Sequence, residues 1–201
     1  MQGEIGMKNV YLIGDGVRYS TDLSIGYGIF VMEELEGEAY VYSPQADCGS
    51  AQRTLRYLHE WAAKAYVDPA EIDAVYWNNG LMDVERIMDD EPITPVDVYV
   101  RQLIRVHGRI RTLFPNAKVI FATTTPVIEQ APGGKRYRNA DIEAYNRAAE
   151  NALRPLGVQI DDLYAEAQGF GADCWRSCEY FSEKGARRLA KRAAGAIRRA
   201  F

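Results

Sequence analysis

The stretch YLIGDGVRYS, residues 11–20, is the part of the sequence on which the fold prediction rests. The apolar run Val10–Ile13 predicts a buried strand, and Gly14-Asp15-Gly16 directly after it predicts a tight turn. A Gly-x-Gly after a strand also occurs in dinucleotide-binding folds, but that fingerprint needs a third glycine, and Tyr19 stands in its place. We therefore interpret the two glycines as a steric requirement of the turn.

Strand patterns and helix patterns alternate along the rest of the chain. Further strands are predicted at Glu38–Tyr42, Ile72–Trp77, Lys118–Ala122 and Val158–Ile160. Helices are predicted at Asp22–Leu35, Ser50–Tyr66, Val96–Phe114, Asp141–Arg154, Asp162–Ala167 and Ser182–Arg199, with a flexible loop at Gln130–Arg138 and an irregular stretch at Gly169–Cys178. The alternation predicts an α/β fold, a three-layer α/β/α sandwich with a five-stranded parallel sheet. Functional residues of such sheets collect at the carboxyl ends of the strands.

Length and composition describe an ordinary globular chain. The 201 residues are 47% hydrophobic and 26% charged, which predicts one domain over residues 1–201. The formal net charge of −4 disfavours nucleic-acid binding, which needs a basic surface. Three cysteines are too few for a disulfide framework, and no apolar run has the length of a leader or a membrane span. We therefore expect a cytoplasmic protein without a membrane span.

Several further segments carry distinctive spacing. In chain order they are LIGDGVR at 12–18, ADCGS at 46–50, YWNNGLMD at 76–83, ATTTPV at 122–127, DIEAYN at 141–146, DDLY at 161–164 and YFSEKG at 180–185. Together these blocks resemble the SGNH, or GDSL-type, hydrolases, and in particular a bacterial branch of that family. The resemblance runs in order over nearly the whole chain.

The resemblance implies a flavodoxin-like SGNH-hydrolase fold and a family activity, the cleavage of esters or the removal of acyl groups from small molecules, lipids and carbohydrates. Family members use a serine of the first block as nucleophile, with an acid and a histidine base in the last block. The three matching positions here hold Gly16, Ser177 and Tyr180. Loss of the nucleophile alone removes the acyl-enzyme route, so the catalytic triad is predicted to be degenerate.

The donors of the family's oxyanion hole are better preserved than its triad. The resemblance implies the backbone N–H groups of Gly16 and Gly49 and the side chain of either Asn78 or Asn79, and the sequence leaves that choice open. Such donors can hold an anion or a carbonyl oxygen without any chemistry. The alternative interpretation of the asparagines is that they form a turn and nothing more.

Two charged residues of the first block have structural and functional interpretations. Asp15 is expected to accept backbone hydrogen bonds that fix the turn, and activation of a water is the alternative. Arg18 is expected to bind an acidic group of a ligand or to pair with Asp15 or Asp83.

Histidine and cysteine chemistry is sparse in this sequence. The two histidines, His59 and His107, fall inside predicted helices, and we expect them to be ordinary helix residues. Cys174 and Cys178 lack the two further ligands that a zinc site needs, so neither a metal nor a cofactor is expected. Cys178 lies close to the lost base position and is an alternative nucleophile, provided that a base activates it.

Three functional hypotheses follow. The first is a catalytically degraded esterase homologue that keeps an oxyanion-hole-like pocket for a small acyl or carbohydrate ligand. The second is an active hydrolase with rewired residues, either a water activated by Asp15 or a Cys178 nucleophile. The third is a scaffold subunit of a homo-oligomer with an empty site. An insertion in the last block would bring Asp173 toward the site instead of Ser177.

Overall fold

The structure is a computed structural model that describes residues 6–21, 24–88 and 91–201. Its centre is an all-parallel sheet with the strand order β2-β1-β3-β4-β5. The strands are β1 (Lys8–Ile13), β2 (Ala39–Tyr42), β3 (Ala74–Asn78), β4 (Lys118–Ala122) and β5 (Gln159–Asp161). This arrangement confirms the predicted sandwich with five parallel strands.

Six α-helices in the described ranges cover the two faces of the sheet. They are α1 (Gly28–Glu34), α2 (Ala51–Ala63), α3 (Val96–Leu113), α4 (Asn139–Leu153), α5 (Leu163–Gln168) and α6 (Glu183–Arg198). Helices α2, α3 and α4 pack against one another on one face, and α1, α5 and α6 pack together on the other. Within the described ranges, no helix combines the length and the apolar character needed to cross a lipid bilayer.

The register of the sheet brings the ends of three strands to one edge. All residues of β3 are buried, because this strand lies between two neighbours and under helices on both faces. Ile13 at the end of β1 lies opposite Trp77, and Asn78 at the end of β3 lies opposite Ala122. The turns that follow β1, β3 and β4 therefore meet at the carboxyl edge of the sheet.

Helix α1 is shorter than the predicted helix Asp22–Leu35. Asp22 itself lies outside the described residues, and the helix begins at Gly28. The Gly28 N–H donates to the Arg18 carbonyl oxygen at 3.1 Å, and a Cβ built on Gly26 would lie 2.2 Å from that same oxygen. The backbone before α1 is thus pressed against the first turn. This tertiary contact, which helical periodicity does not reveal, sets the start of the helix.

Candidate functional site

A cavity of about 140 Å³ opens beside Gly16 at the carboxyl edge of the sheet. Its walls come from the turns after β1, β2, β3 and β4 and from the segment before α6. The lining residues are Asp15, Gly16, Asp47, Leu81, Met82, Glu85, Arg136, Tyr137, Glu179 and Tyr180. Pockets that enclose a drug-sized ligand usually measure ~300–1,000 Å³. This cavity therefore suits a small ligand or one group of a larger one.

Two of the three positions that the family resemblance matches to the catalytic triad meet at this cavity. A Cβ built on Gly16 would lie 3.0 Å from the Tyr180 hydroxyl oxygen and 3.3 Å from Asp47 Oδ2. Ser177 lies outside the lining, where its hydroxyl donates to Glu179 Oε2 at 3.2 Å and accepts from the Tyr180 N–H at 3.1 Å. Ser177 thus shapes the segment that carries Tyr180 and does not face Gly16.

Asp15 fixes the first turn, as expected, and also lines the cavity. Its side chain is buried, and its Oδ1 accepts from the Val17 N–H at 3.0 Å. Burial raises the pKa of the Asp15 carboxyl to about 7, and the nearby Asp47 carboxylate adds to the effect. The group is therefore divided between its protonated and ionised forms near neutral pH.

Arg18 requires a correction to the sequence analysis, because it does not reach the cavity. The guanidinium is buried and donates to three backbone carbonyl oxygens, those of Gly14 (3.2 Å), Pro44 (3.3 Å) and Ala46 (2.6 Å). No described ion pair joins Arg18 to Asp15 or Asp83. Its role is to tie the turn after β1 to the segment after β2, and buried carbonyl groups need such partners.

The predicted oxyanion donors are not assembled around the cavity. Asn79 Nδ2 donates to the Gly49 carbonyl oxygen at 2.7 Å, and its Oδ1 accepts from Trp77 Nε1 at 2.6 Å. Asn78 Nδ2 donates to the Ala122 carbonyl oxygen across the sheet at 3.2 Å. The Gly49 N–H donates to Asp47 Oδ1 at 2.7 Å. Of the four predicted oxyanion residues, Gly16 alone belongs to the cavity lining.

Sequence reasoning missed most of the charged residues of the cavity. Arg136 bridges two of them, since its Nη1 lies 2.8 Å from Glu85 Oε1 and its Nη2 lies 3.1 Å from Glu179 Oε1. Asp47 could have been identified from the sequence, because it lies in the ADCGS block two residues before Gly49. Arg136 lies in the predicted flexible loop, where Gly134–Arg136 forms a 3₁₀ turn. Nothing in the local sequence pairs this loop with Glu85 or Glu179.

The histidines and cysteines lie outside the cavity lining. His59 is on α2 and His107 on α3, as predicted. Cys178 is buried, and its Sγ contacts Glu179 Oε2. Burial and that carboxylate raise the pKa of the Cys178 thiol to about 11, which opposes formation of a nucleophilic thiolate. In the described part of the chain, no three His, Cys, Asp or Glu side chains are grouped to hold a metal ion.

Comparisons with known proteins agree with the fold. The model of the GDSL-like Lipase/Acylhydrolase family matches residues 26–188. A lipase/acylhydrolase from Enterococcus faecalis superposes with a TM-score of 0.74 at 17% identity, covering 95% of each chain. An acetyl xylan esterase superposes with a TM-score of 0.73 at 15% identity, covering 94% of this chain and 99% of that one. A carbohydrate esterase family 3 protein from Talaromyces cellulolyticus superposes with a TM-score of 0.68 at 20% sequence identity. The match covers 96% of this chain and 97% of that one. Comparison with curated protein sequences gives no match.

Proposed function

Because this chain belongs to the GDSL-like lipase/acylhydrolase family, we propose that it is a hydrolase homologue that has lost ester hydrolysis and binds a small ligand beside Gly16. The ligand is an acyl or carbohydrate group, the classes that the family resemblance implies. Two of the similar structures are an acetyl xylan esterase and a carbohydrate esterase, which favours a carbohydrate.

The chemistry of the cavity lining carries this proposal. Of the described residues that form the cavity, none is a serine, threonine, cysteine, histidine or lysine. Acyl transfer through a covalent intermediate needs such a nucleophile together with a base that removes its proton. Gly16 has no side chain to offer, and the Ser177 hydroxyl is already paired with Glu179. A bound ester would therefore meet none of the side chains that usually attack an ester. The Tyr180 hydroxyl lies near Gly16, but burial raises its pKa and opposes formation of a nucleophilic phenolate.

A second candidate function is hydrolysis by a water that Asp15 activates. The pKa of about 7 favours it, because a general base works best when its pKa is near the working pH. Such a base typically accelerates a reaction by ~10²–10⁴-fold. Asp15 becomes neutral when it takes the proton of the water, but the oxyanion of the intermediate would form close to the Asp47 carboxylate, which repels it. The binding function is therefore the better supported of the two.

An assay of ester turnover separates the two functions. The wild-type protein is tested with a short-chain aryl ester and with an acetylated monosaccharide at neutral pH, beside Asp15→Asn and Cys178→Ser. We expect all three proteins to show only the background rate of hydrolysis. Turnover by the wild type that disappears in Asp15→Asn and persists in Cys178→Ser would establish the water mechanism and refute the loss of chemistry.

A further inference from the structure

Asp47 accepts a hydrogen bond from the Gly49 N–H, the group that the family resemblance implies as a donor to the substrate's oxyanion. Its Oδ1 accepts from the Gly49 N–H at 2.7 Å, a short distance typical of a charge-assisted hydrogen bond. Its backbone carbonyl oxygen in turn accepts from Arg53 Nε at 3.1 Å, which holds the residue in place. A carboxylate of the chain itself thus takes the place that an oxyanion would need.

The second oxygen of the same carboxylate faces the Gly16 turn. Asp47 Oδ2 lies 3.3 Å from the point where a side chain on residue 16 would begin. One Asp47 oxygen therefore occupies the Gly49 N–H, and the other faces the side of Gly16 on which a side chain would project. Asp47 is also one of the residues that line the cavity.

The remaining charges leave the cavity negative. Among the lining residues that the structure describes, Arg136 alone is a cation, and it is paired with Glu85 and Glu179. Asp15 is 1% exposed, and one of its carboxylate oxygens accepts from the Val17 N–H. No described residue donates a hydrogen bond to its other oxygen. Because Asp15 lines the cavity, this oxygen is available to a hydrogen-bond donor of a ligand.

We propose that Asp47 determines the specificity of this pocket, so that it binds a hydrogen-bond donor, preferably the ammonium group of an amine or amino sugar, instead of an ester carbonyl. The inference rests on the proposed function, since it concerns the ligand of the same cavity. An ammonium group has three donors and a positive charge, which match the free oxygens of Asp15 and Asp47. A carbonyl oxygen brings only acceptors, and a phosphate brings a negative charge that the Asp47 carboxylate repels.

Amide NMR titration tests the inference on the whole chain. The probes are glucosamine, glucose and inorganic phosphate, added at about pH 7 where an amine is mostly protonated. Glucosamine and glucose differ at one position, an ammonium group against a hydroxyl. We expect glucosamine to shift the Gly16 and Gly49 amide signals with about tenfold higher affinity than glucose, the effect of about 1.4 kcal/mol from a charge-assisted hydrogen bond. Phosphate should leave both signals unchanged.

The variant Asp47→Asn isolates the charge. Its side-chain oxygen can still accept from the Gly49 N–H, so the turn is retained while the negative charge is removed. We expect the preference for glucosamine to fall below about threefold in this variant. The matched control is Asp97→Asn, which removes an exposed carboxylate on α3 that pairs with Arg101, outside the cavity lining. This control should keep the full preference.

Three results would overturn the inference: no response of the cavity amides to glucosamine, an unchanged preference in Asp47→Asn, or binding of phosphate at Gly49 in the wild type. The ester assay described above is a separate readout. Ester turnover would refute the proposed loss of chemistry, whereas the amide titration reports the charge preference of the cavity whether or not turnover occurs.

Discussion

Asp15 is the residue whose ionisation most affects the folded state near the cavity. Its pKa rises from 3.8 to about 7 on folding, so the folded protein holds the proton more tightly than the unfolded chain. Its stabilising contribution is full below about pH 4 and is lost as the pH rises through about 7. At about 1.4 kcal/mol per pKa unit, the contribution is at most ~4 kcal/mol.

The variant Asp15→Asn removes this titration and still offers an acceptor to the Val17 N–H. We expect the free energy of unfolding of the variant to rise relative to wild type between about pH 4.5 and 8, because the wild type alone must bury a charge there. Urea unfolding at a series of pH values measures the difference. Asp83, whose burial raises its pKa to about 6, titrates in both proteins and cancels. If the unfolding free energies of the two proteins changed in parallel with pH, the raised pKa of Asp15 would be contradicted.

A serine at position 16, where family members carry the nucleophile, is expected to destabilise the fold without restoring ester hydrolysis. In Gly16→Ser the new Cβ lies close to Tyr180 and Asp47, so we expect a loss of ~1–3 kcal/mol in unfolding free energy from overpacking. No ester turnover should appear, since the lining contains no histidine base. Adding Tyr180→Phe removes the hydroxyl oxygen that is 3.0 Å from the new Cβ, and should recover part of the stability. A stable, ester-cleaving Gly16→Ser would show that Tyr180 or a carboxylate acts as base.

At the scale of elements, helix α6 packs closely on the segment before it. A Cβ built on Gly185 would lie 2.2 Å from the Cys174 carbonyl oxygen, which cannot move without shifting the backbone. Gly185→Ala should therefore lower the unfolding free energy by at least ~2 kcal/mol.

The matched control for this helix is Gly195→Ala. The nearest atom to its new Cβ would be Arg199 Nη1 at 3.6 Å, an ordinary contact. Alanine is the better helix former by ~0.8–1.0 kcal/mol, so this variant should be as stable as wild type or more stable. Urea midpoints of the two variants test the packing. Equal effects at the two positions would mean that propensity, and not the close contact at Gly185, decides the outcome.

The bounds of a helix could be predicted where a helical pattern of apolar residues begins directly after a serine that caps it. Ser50 accepts from the Arg53 N–H and Ser182 from the Gly185 N–H, and both helices begin at the predicted caps. The start of α1 was not predictable, because it depends on the contact of Gly28 with Arg18. The role of Arg18 escaped prediction for the same reason, since its carbonyl partners after β2 are distant in sequence. Asp47 could have been found from its position beside Gly49, but its orientation toward Gly16 could not.

At the scale of the whole molecule, acidic partners offset the basic face of α6. Arg187 pairs with Glu33 (2.7 Å), Arg188 with Glu166 (3.1 Å) and Arg198 with Glu38 (2.8 Å). With the net charge of −4, this predicts no measurable binding to duplex DNA at about 0.15 M salt. Fluorescence anisotropy of a labelled duplex checks it.

A charge variant provides the control for this experiment. Replacing Glu33, Glu38 and Glu166 by glutamine removes three of the carboxylates that face the α6 arginines. We expect weak, salt-dependent DNA binding to appear in this variant. Binding by the wild type of similar strength would contradict the prediction.

The segment that leads into α6 is anchored to the helix at Cys174, Ser182 and Gly185, on either side of positions 177 and 180. The Ser182 N–H donates to the Cys174 carbonyl oxygen at 2.9 Å, and Gly185 lies against that same carbonyl. Positions 177 and 180 lie between these anchor points, but their side chains are not what fixes the segment to the helix. A substitution at position 177 or 180 therefore leaves the backbone contact between Cys174 and Ser182 in place. The anchoring of this segment and the side chains it presents to the cavity are thus separable by mutation.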